Sequence, residues 1–100
     1  MADTANTIIH AFTAYLRDDR RRSAHTVRAY AITAERFCAF LMDHIGGGVG
    51  AAELAALRQA DIRSYLAFRR GDGLTNNSAA RELSALRAFL KFVGDDEAQI

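Results

Sequence analysis

The chain has 100 residues, of which 50% are hydrophobic and 25% are charged, and its formal net charge at pH 7 is +1. This size and composition predict one globular domain with its own core and exclude a disordered chain. No apolar run approaches about 20 residues and the N-terminus lacks the features of a secretory signal, so we expect a cytoplasmic protein without a membrane-spanning helix.

The first half of the sequence predicts two helices. The first covers about residues 4–19 and ends in the charged segment DDRRRS. The second covers residues 24–45, because Ser23 is a suitable N-cap and apolar residues then recur every three or four positions. The predicted core stripe of this second helix comprises Val27, Tyr30, Ala34, Phe37, Leu41 and Ile45, and Cys38 and Met42 widen it.

The second half predicts two more main helices. The glycine-rich stretch GGGVG ends the second helix, and a short helical turn, AAELAAL, follows it. A third main helix is expected to begin near Asp61 as its N-cap and to end at Arg70. The last helix begins near residues 75–77, and Gly94 is expected to terminate it as the C′ residue.

These elements predict an all-α protein, a compact bundle of four main helices plus a short helical turn. We expect residues 1–94 to form the domain and residues 95–100 to begin a linker. Leu83, Leu86, Leu90 and Val93, with Phe89 beside them, are the expected core residues of the last helix.

The sequence gives no sign of catalytic or metal chemistry. The histidines lie on different segments without metal-ligand spacing, so no metal or other cofactor is expected. Cys38 lies on the apolar face of its helix, which favours a buried, inert thiol over a nucleophile. We interpret the three tyrosines as packing residues with a polar tip: Tyr15, Tyr30 and Tyr65.

Two segments carry basic and polar side chains at helical spacing. Opposite its leucines, the last helix presents Asn77, Arg81, Ser84, Arg87 and Lys91, with Glu82 as the one acid to offset their charge. The opening of the second helix has the same character, in the segment RRRSAHTVR. Such faces are either solvated surfaces or nucleic-acid contacts, because Arg, Lys, Asn and Ser are the residue types that contact phosphates and base edges.

Three segments, in this order and at these spacings, carry a family resemblance: SAHTVRAY (residues 23–30), DIRSYLAFRR (residues 61–70) and RELSALRAFLKF (residues 81–92). They resemble the N-terminal core-binding domain of tyrosine recombinases and phage-type integrases, with the closest likeness to the Xer type. The resemblance covers about residues 5–94. It implies a SAM-like bundle that forms one jaw of a clamp on a recombination half-site.

The resemblance also implies which residues bind DNA. In this family two helices lie across the major groove, and they correspond here to the second and the last. The implied contacts are Arg22, Ser23, His25, Thr26, Arg28, Asn77, Ser78, Arg81, Ser84, Arg87 and Lys91. Arg87 is the position that we single out. The implied partners are double-stranded DNA and further recombinase protomers in a tetramer.

The family's catalytic residues lie in a C-terminal domain that no segment of this chain resembles. We therefore expect no catalytic residue here, whereas the intact protein would be a site-specific recombinase in Xer-type chromosome dimer resolution or in integration. A stand-alone DNA-binding domain is one alternative. A helical protein-interaction module with a basic face is another, and a helix-turn-helix factor is less favoured because no two short helices share the usual turn.

Overall fold

A computed structural model describes the backbone of residues 4–98 and the side chains of residues 4–94. Within this range the chain forms helices α1 (Ala5–Ala14), α2 (Ala24–Ile45), α3 (Ala51–Ala55), α4 (Gln59–Gly71) and α5 (Asn76–Ala98). A π-helical turn, Tyr15–Asp19, extends α1. The predicted all-α bundle is confirmed. None of the helices in this part of the chain is both long and apolar enough to cross a membrane.

The helix beginnings follow from local side-chain caps. The Oγ of Ser23 accepts a hydrogen bond from the Thr26 N–H at 3.1 Å, which confirms Ser23 as the N-cap of α2. The predicted N-cap of α4 is wrong by three residues, because Arg58 occupies the cap and Asp61 lies in the first turn. Its carboxylate reaches back to accept from the Arg58 N–H at 2.9 Å. An acid at the third position of a helix can therefore accept a hydrogen bond from the N–H of the cap residue without being the cap itself.

The helix ends agree with the sequence at α2 and disagree at α5. Gly46 adopts a left-handed conformation, with φ of 81°, and closes α2 by donating its N–H to the Met42 carbonyl at 2.9 Å. The prediction that Gly94 ends α5 is wrong, since this helix continues to Ala98. Glycine permits a left-handed helix end but does not impose one. The linker expected at residues 95–100 extends beyond the described residues and stays a prediction.

The core lies where α1, α2, α4 and α5 meet. Its fully buried side chains include Phe12, Phe37, Tyr65, Leu86 and Phe89. The Phe12 and Phe89 rings pack edge to face with centroids 5.2 Å apart, and Phe37 and Tyr65 do the same at 5.2 Å. The core therefore joins α1 to α5 and α2 to α4 through aromatic pairs, a geometry that stabilises beyond simple area burial.

Two expectations about α2 concern the apolar face. Cys38 is buried as predicted, and burial raises the pKa of its thiol to about 11, which keeps it protonated. The prediction that Met42 and Ile45 face the core is wrong, because their exposed fractions are 49% and 50%. Tight packing on α2 ends at Leu41, and the segment after the helix contributes Val49 and Leu54 to the core.

Candidate nucleic-acid interface

The N-terminal halves of α2 and α5 enclose an open cleft, which we call the α2–α5 cleft. Its polar lining includes His25 and Thr26 from α2 and Arg81 and Ser84 from α5. These residues belong to the two basic segments of the sequence, at the opening of α2 and on α5. Packing of α2 against α5 therefore brings two residues of each segment onto one surface.

A second cleft, the arginine cleft, lies beside the first. The loop residues Arg20 and Arg22 line it together with Lys91 of α5. Tyr30 lines both clefts, so the two are adjacent and form one strip across α2 and α5 that mixes basic, polar and apolar side chains. Three basic side chains of this strip are thus drawn together from a loop and from the far half of α5.

The backbone of the arginine loop fixes where its side chains lie. Arg21 has a left-handed conformation with φ of 51°, which is uncommon for a residue other than glycine. The Arg22 N–H then donates to the Leu16 carbonyl at 2.9 Å, and the Arg20 N–H donates to the Tyr15 carbonyl at 3.0 Å. These bonds close the π-helical turn and hold Arg20 and Arg22 at the mouth of the arginine cleft.

Other residues implied by the resemblance lie outside both clefts. Arg28, Asn77 and Arg87 are exposed on the outer faces of α2 and α5. Ser23 is exposed at the start of α2, where its hydroxyl caps the helix and donates to the Thr26 Oγ1 at 3.0 Å. Ser78 is half-buried, and its N–H donates to Thr75 Oγ1 at 3.2 Å. The predicted set therefore divides into residues in the clefts and residues around them.

Glu82 does not belong to the exposed basic face of α5. Its position in the sequence predicts an acid on that face, but its exposed fraction is 7% and its side chain is buried. The Tyr65 hydroxyl donates to Glu82 Oε1 at 2.7 Å, while Arg69 donates from Nε and Nη2 to Oε2, each at 3.2 Å. Arg36 Nη1 lies 4.0 Å from Oε2. We call these four residues the Glu82 network.

The sequence contained a signal for this burial. Glu82 falls four, seven and eleven positions before Leu86, Phe89 and Val93, on the same helical stripe as these core residues. A carboxylate on such a stripe is buried when hydrogen-bonding partners are present, because an unpaired buried charge is costly. Tyr65 and Arg69, one turn apart on α4, supply them.

The charges in the Glu82 network are mutually supported. Burial, followed by the hydrogen bond to Glu82, raises the pKa of Tyr65 well above its ordinary value, so its hydroxyl stays a donor. The hydrogen bond to Glu82 raises the pKa of Arg69, which stays cationic. With its one acid turned inward, the outer face of α5 between Asn77 and Lys91 presents arginine, lysine, serine and asparagine.

The side chains of this strip can form hydrogen bonds and ion pairs with an anion. Arginine offers a fork of donors that matches phosphate oxygens, and Ser, Thr and His offer hydrogen bonds to phosphates or base edges. Tyr65 is fully buried, and Tyr15 and Tyr30 are half-buried. The interpretation of the tyrosines as packing residues with a polar tip fits Tyr65, whose ring lies in the core and whose hydroxyl is bonded to Glu82.

Comparison with known proteins gives a consistent result. Residues 9–95 match the family of the phage integrase N-terminal SAM-like domain. The chain is 40% identical over 75 residues to tyrosine recombinase XerC of Mesorhizobium japonicum and 39% identical over 80 residues to that of Rhizobium meliloti. It is 37% identical over 92 residues to that of Nitrobacter winogradskyi.

The matches differ in how much of each protein they cover. They include 75%, 80% and 92% of this chain but 24%, 25% and 28% of the three relatives. The chain therefore spans about a quarter of the length of the curated relatives that it matches. No solved structure matches it significantly.

Proposed function

This chain belongs to the phage integrase N-terminal SAM-like domain family, and from that premise we propose that it is the DNA-binding domain of a site-specific tyrosine recombinase. The observation that carries the proposal is the strip formed by the α2–α5 cleft and the arginine cleft. Basic and polar side chains distant in sequence converge there, while Glu82, the acid that lines the α2–α5 cleft, is buried. Such a surface is the electrostatic footprint of a nucleic-acid contact.

We place duplex DNA against α2 and α5, with the domain as one jaw of a clamp on a recombination half-site. Arg20, Arg22 and Lys91 would neutralise phosphates, since Arg and Lys supply most sequence-independent affinity. His25, Thr26, Arg81 and Ser84 would hold phosphates or base edges within the α2–α5 cleft. Arg28, Asn77, Ser78 and Arg87 would border the contact, and Ser23 would shape it by capping α2.

Strand exchange belongs in this proposal to the rest of the intact protein. The named relatives are tyrosine recombinases about four times the length of their match to this chain. We propose that the intact protein cleaves and rejoins DNA in chromosome dimer resolution or integration, together with further protomers in a tetramer. The chain described here would contribute binding and no catalytic residue.

Titration of the purified domain into a fluorescent duplex of about 30 base pairs tests the proposal. We expect weak binding by anisotropy, with log affinity falling with log salt at a slope near −4 to −5 if about five phosphates are neutralised. Absence of binding to duplex DNA at low salt, together with saturable binding to an acidic protein, would instead establish a protein-interaction module with a basic face.

Substitutions locate the contact. Arg81→Ala and Arg87→Ala should both weaken binding, with the larger loss at Arg81 because it lines the α2–α5 cleft whereas Arg87 lies on the outer face. Arg17→Ala is the control, since Arg17 is exposed on the π-helical turn and pairs with Asp18 at 3.0 Å. Equal losses in all three variants would show that this strip is not the DNA surface.

A further inference from the structure

The segment of α5 that carries Arg81 and Ser84 has little apolar anchorage. Between residues 76 and 85, all of which have described side chains, the buried ones are Ala79, Glu82 and Ala85. Two of these are alanines, and Leu83 is only half-buried, so Glu82 is the largest buried side chain of this segment. Because burial of apolar area is what usually docks a helix, this part of α5 needs another means of attachment.

The Glu82 network provides that attachment. Tyr65 bonds to Oε1 and Arg69 to Oε2, so both carboxylate oxygens are engaged by α4. Arg36 approaches Oε2 from α2 at 4.0 Å, and Arg69 is further held by Asp72 at 3.8 Å. Hydrogen bonds to a charged carboxylate are strong and directional. The network therefore fixes the position of the Glu82 side chain and also its orientation.

Together with Leu86 one turn further on, an anchored Glu82 sets the rotation of the N-terminal half of α5 about its axis. Successive residues of a helix are about 100° apart, so an anchored Glu82 determines where Arg81 and Ser84 point. Glu82 itself lines the α2–α5 cleft together with Arg81 and His25. A small rotation of this segment would carry Arg81 out of the cleft or press it against α2.

We propose that Glu82 is a positioning residue for DNA binding, which orients the N-terminal half of α5 so that Arg81 and Ser84 face the α2–α5 cleft. This inference rests on the proposed function and deepens it. A carboxylate beside a DNA site ordinarily opposes binding by repulsion. Here its charge is compensated by Arg69 and Arg36, and its contribution to affinity is favourable because it orders a cation.

The principal test is a double-mutant cycle between Glu82→Gln and Arg81→Ala, read by anisotropy with the 30-base-pair duplex at several salt concentrations. Glu82→Gln preserves size but removes the charge that Arg69 and Arg36 require. We expect about a tenfold loss of affinity and a salt slope less negative by about one, as for the loss of one phosphate contact. Arg81→Ala should then cause no further loss in the Glu82→Gln background.

Val93→Ala is the matched control for a merely structural effect. Val93 is buried on the same helix, far from Arg81, so its truncation should lower stability without moving the cleft residues. All titrations are made at a temperature where circular dichroism shows every variant to be folded. In Val93→Ala, the salt slope and the full effect of Arg81→Ala should be retained.

Amide hydrogen exchange supplies a readout that does not depend on DNA. Exchange at residues 79–85 should accelerate in Glu82→Gln and stay unchanged in Val93→Ala. If Glu82→Gln does not fold, Tyr65→Phe takes its place, since it removes the donor to Oε1 and keeps the ring. We expect smaller changes of the same sign in that variant.

The outcomes separate this inference from the proposed function. An undiminished effect of Arg81→Ala in Glu82→Gln, or tighter binding with the slope unchanged, would overturn the positioning role and leave a structural or repulsive carboxylate. If the unmodified domain binds no duplex at any salt, the proposed function fails. In that case hydrogen exchange alone tests whether Glu82 anchors α5. Unchanged protection of residues 79–85 in Glu82→Gln would reject the anchoring role, and a loss of protection confined to these residues would support it.

Discussion

The two halves of α5 are attached to the bundle in different ways. The C-terminal half, from Leu86 to Gly94, inserts Leu86, Phe89 and Val93 into the core, where Phe89 meets the Phe12 ring at 5.2 Å. The N-terminal half, residues 76–85, buries two alanines and the carboxylate of Glu82, whereas Leu83, which was expected in the core, is only half-buried and lies outside the core cluster. One half is held by apolar volume, and the other by a charged hydrogen-bond network.

The two halves of this helix therefore differ in what they contribute: one mainly stabilises the fold, and the other mainly sets the orientation of the helix. Hydrophobic burial is large but non-directional, so it docks a helix without defining its rotation sharply. Charge-assisted hydrogen bonds add less net stability but constrain angles and distances. In this protein the directional anchor lies beneath Arg81 and Ser84, the residues of α5 that line the α2–α5 cleft.

The largest effect is expected from Phe89→Ala in the apolar half. Removing a fully buried ring should lower the free energy of unfolding by about 3–5 kcal/mol, measured by urea denaturation. Phe68→Ala is the matched control, because the exposed fraction of Phe68 is 52%, and its loss should be below about 1 kcal/mol. Similar losses at both positions would contradict the assignment of the core to Phe89.

A smaller loss is expected from Glu82→Ala in the polar half. We expect about 2 kcal/mol, since the substitution leaves the partly buried Arg69 without its carboxylate. The double variant Glu82→Ala/Arg69→Ala should lose less than the sum of the two single variants, because the stranded cation is removed as well. Additive losses in urea denaturation would mean that the carboxylate and the guanidinium do not act as a pair.

The polar anchor should also weaken at alkaline pH. The pKa of Tyr65 is raised by burial and by Glu82, so its stabilising contribution is complete below the unfolded value near 10 and is lost as pH rises above it. By pH 11 the loss should be on the order of 1 kcal/mol. Tyr65→Phe should abolish this loss.

The comparison of the Tyr65 protein with the Tyr65→Phe variant requires that both also carry Cys38→Ala. Burial raises the pKa of Cys38 to about 11, so its thiol also destabilises the folded state as pH rises from about 9. Urea denaturation at pH 8, 9, 10 and 11 gives the slopes. If the free energy of unfolding falls equally with pH in the protein with Tyr65 and in the Tyr65→Phe variant, the Tyr65 hydroxyl does not contribute to the alkaline loss of stability.

The smallest effect concerns the end of the apolar half. Gly94 lies within α5, and a Cβ built there meets nothing within 4 Å, so Gly94→Ala should stabilise the protein by about 0.5–1 kcal/mol. Gly46→Ala has equal space but a φ of 81°, and it should destabilise by about 1 kcal/mol. Thermal melting measures both, and a destabilising Gly94→Ala would restore Gly94 as the helix end.

The sequence was sufficient for the main features of the fold. Apolar spacing and the Ser23 cap predicted α2 from residue 24 to residue 45, as the structure has it. These features are local, because a cap and a helical stripe depend on residues within a turn or two. Errors arose where local signals permit two outcomes, as at Gly94, and where the limit of packing decides exposure, as at Met42 and Ile45.

The sequence by itself determined that the chain is helical, which helices are amphipathic and which segments are basic. The tertiary structure alone decided which basic residues share a cleft. It places Arg81 and His25 in one cleft and Lys91 and Arg22 in the other, and it leaves Arg28 and Arg87 outside both. The tertiary structure also decided that Glu82 is buried, because its hydrogen-bonding partners lie thirteen and seventeen residues earlier, on α4. Spacing along one helix predicts which residues lie on the same face of that helix. Burial and charge compensation depend on the side chains that another helix packs against that face.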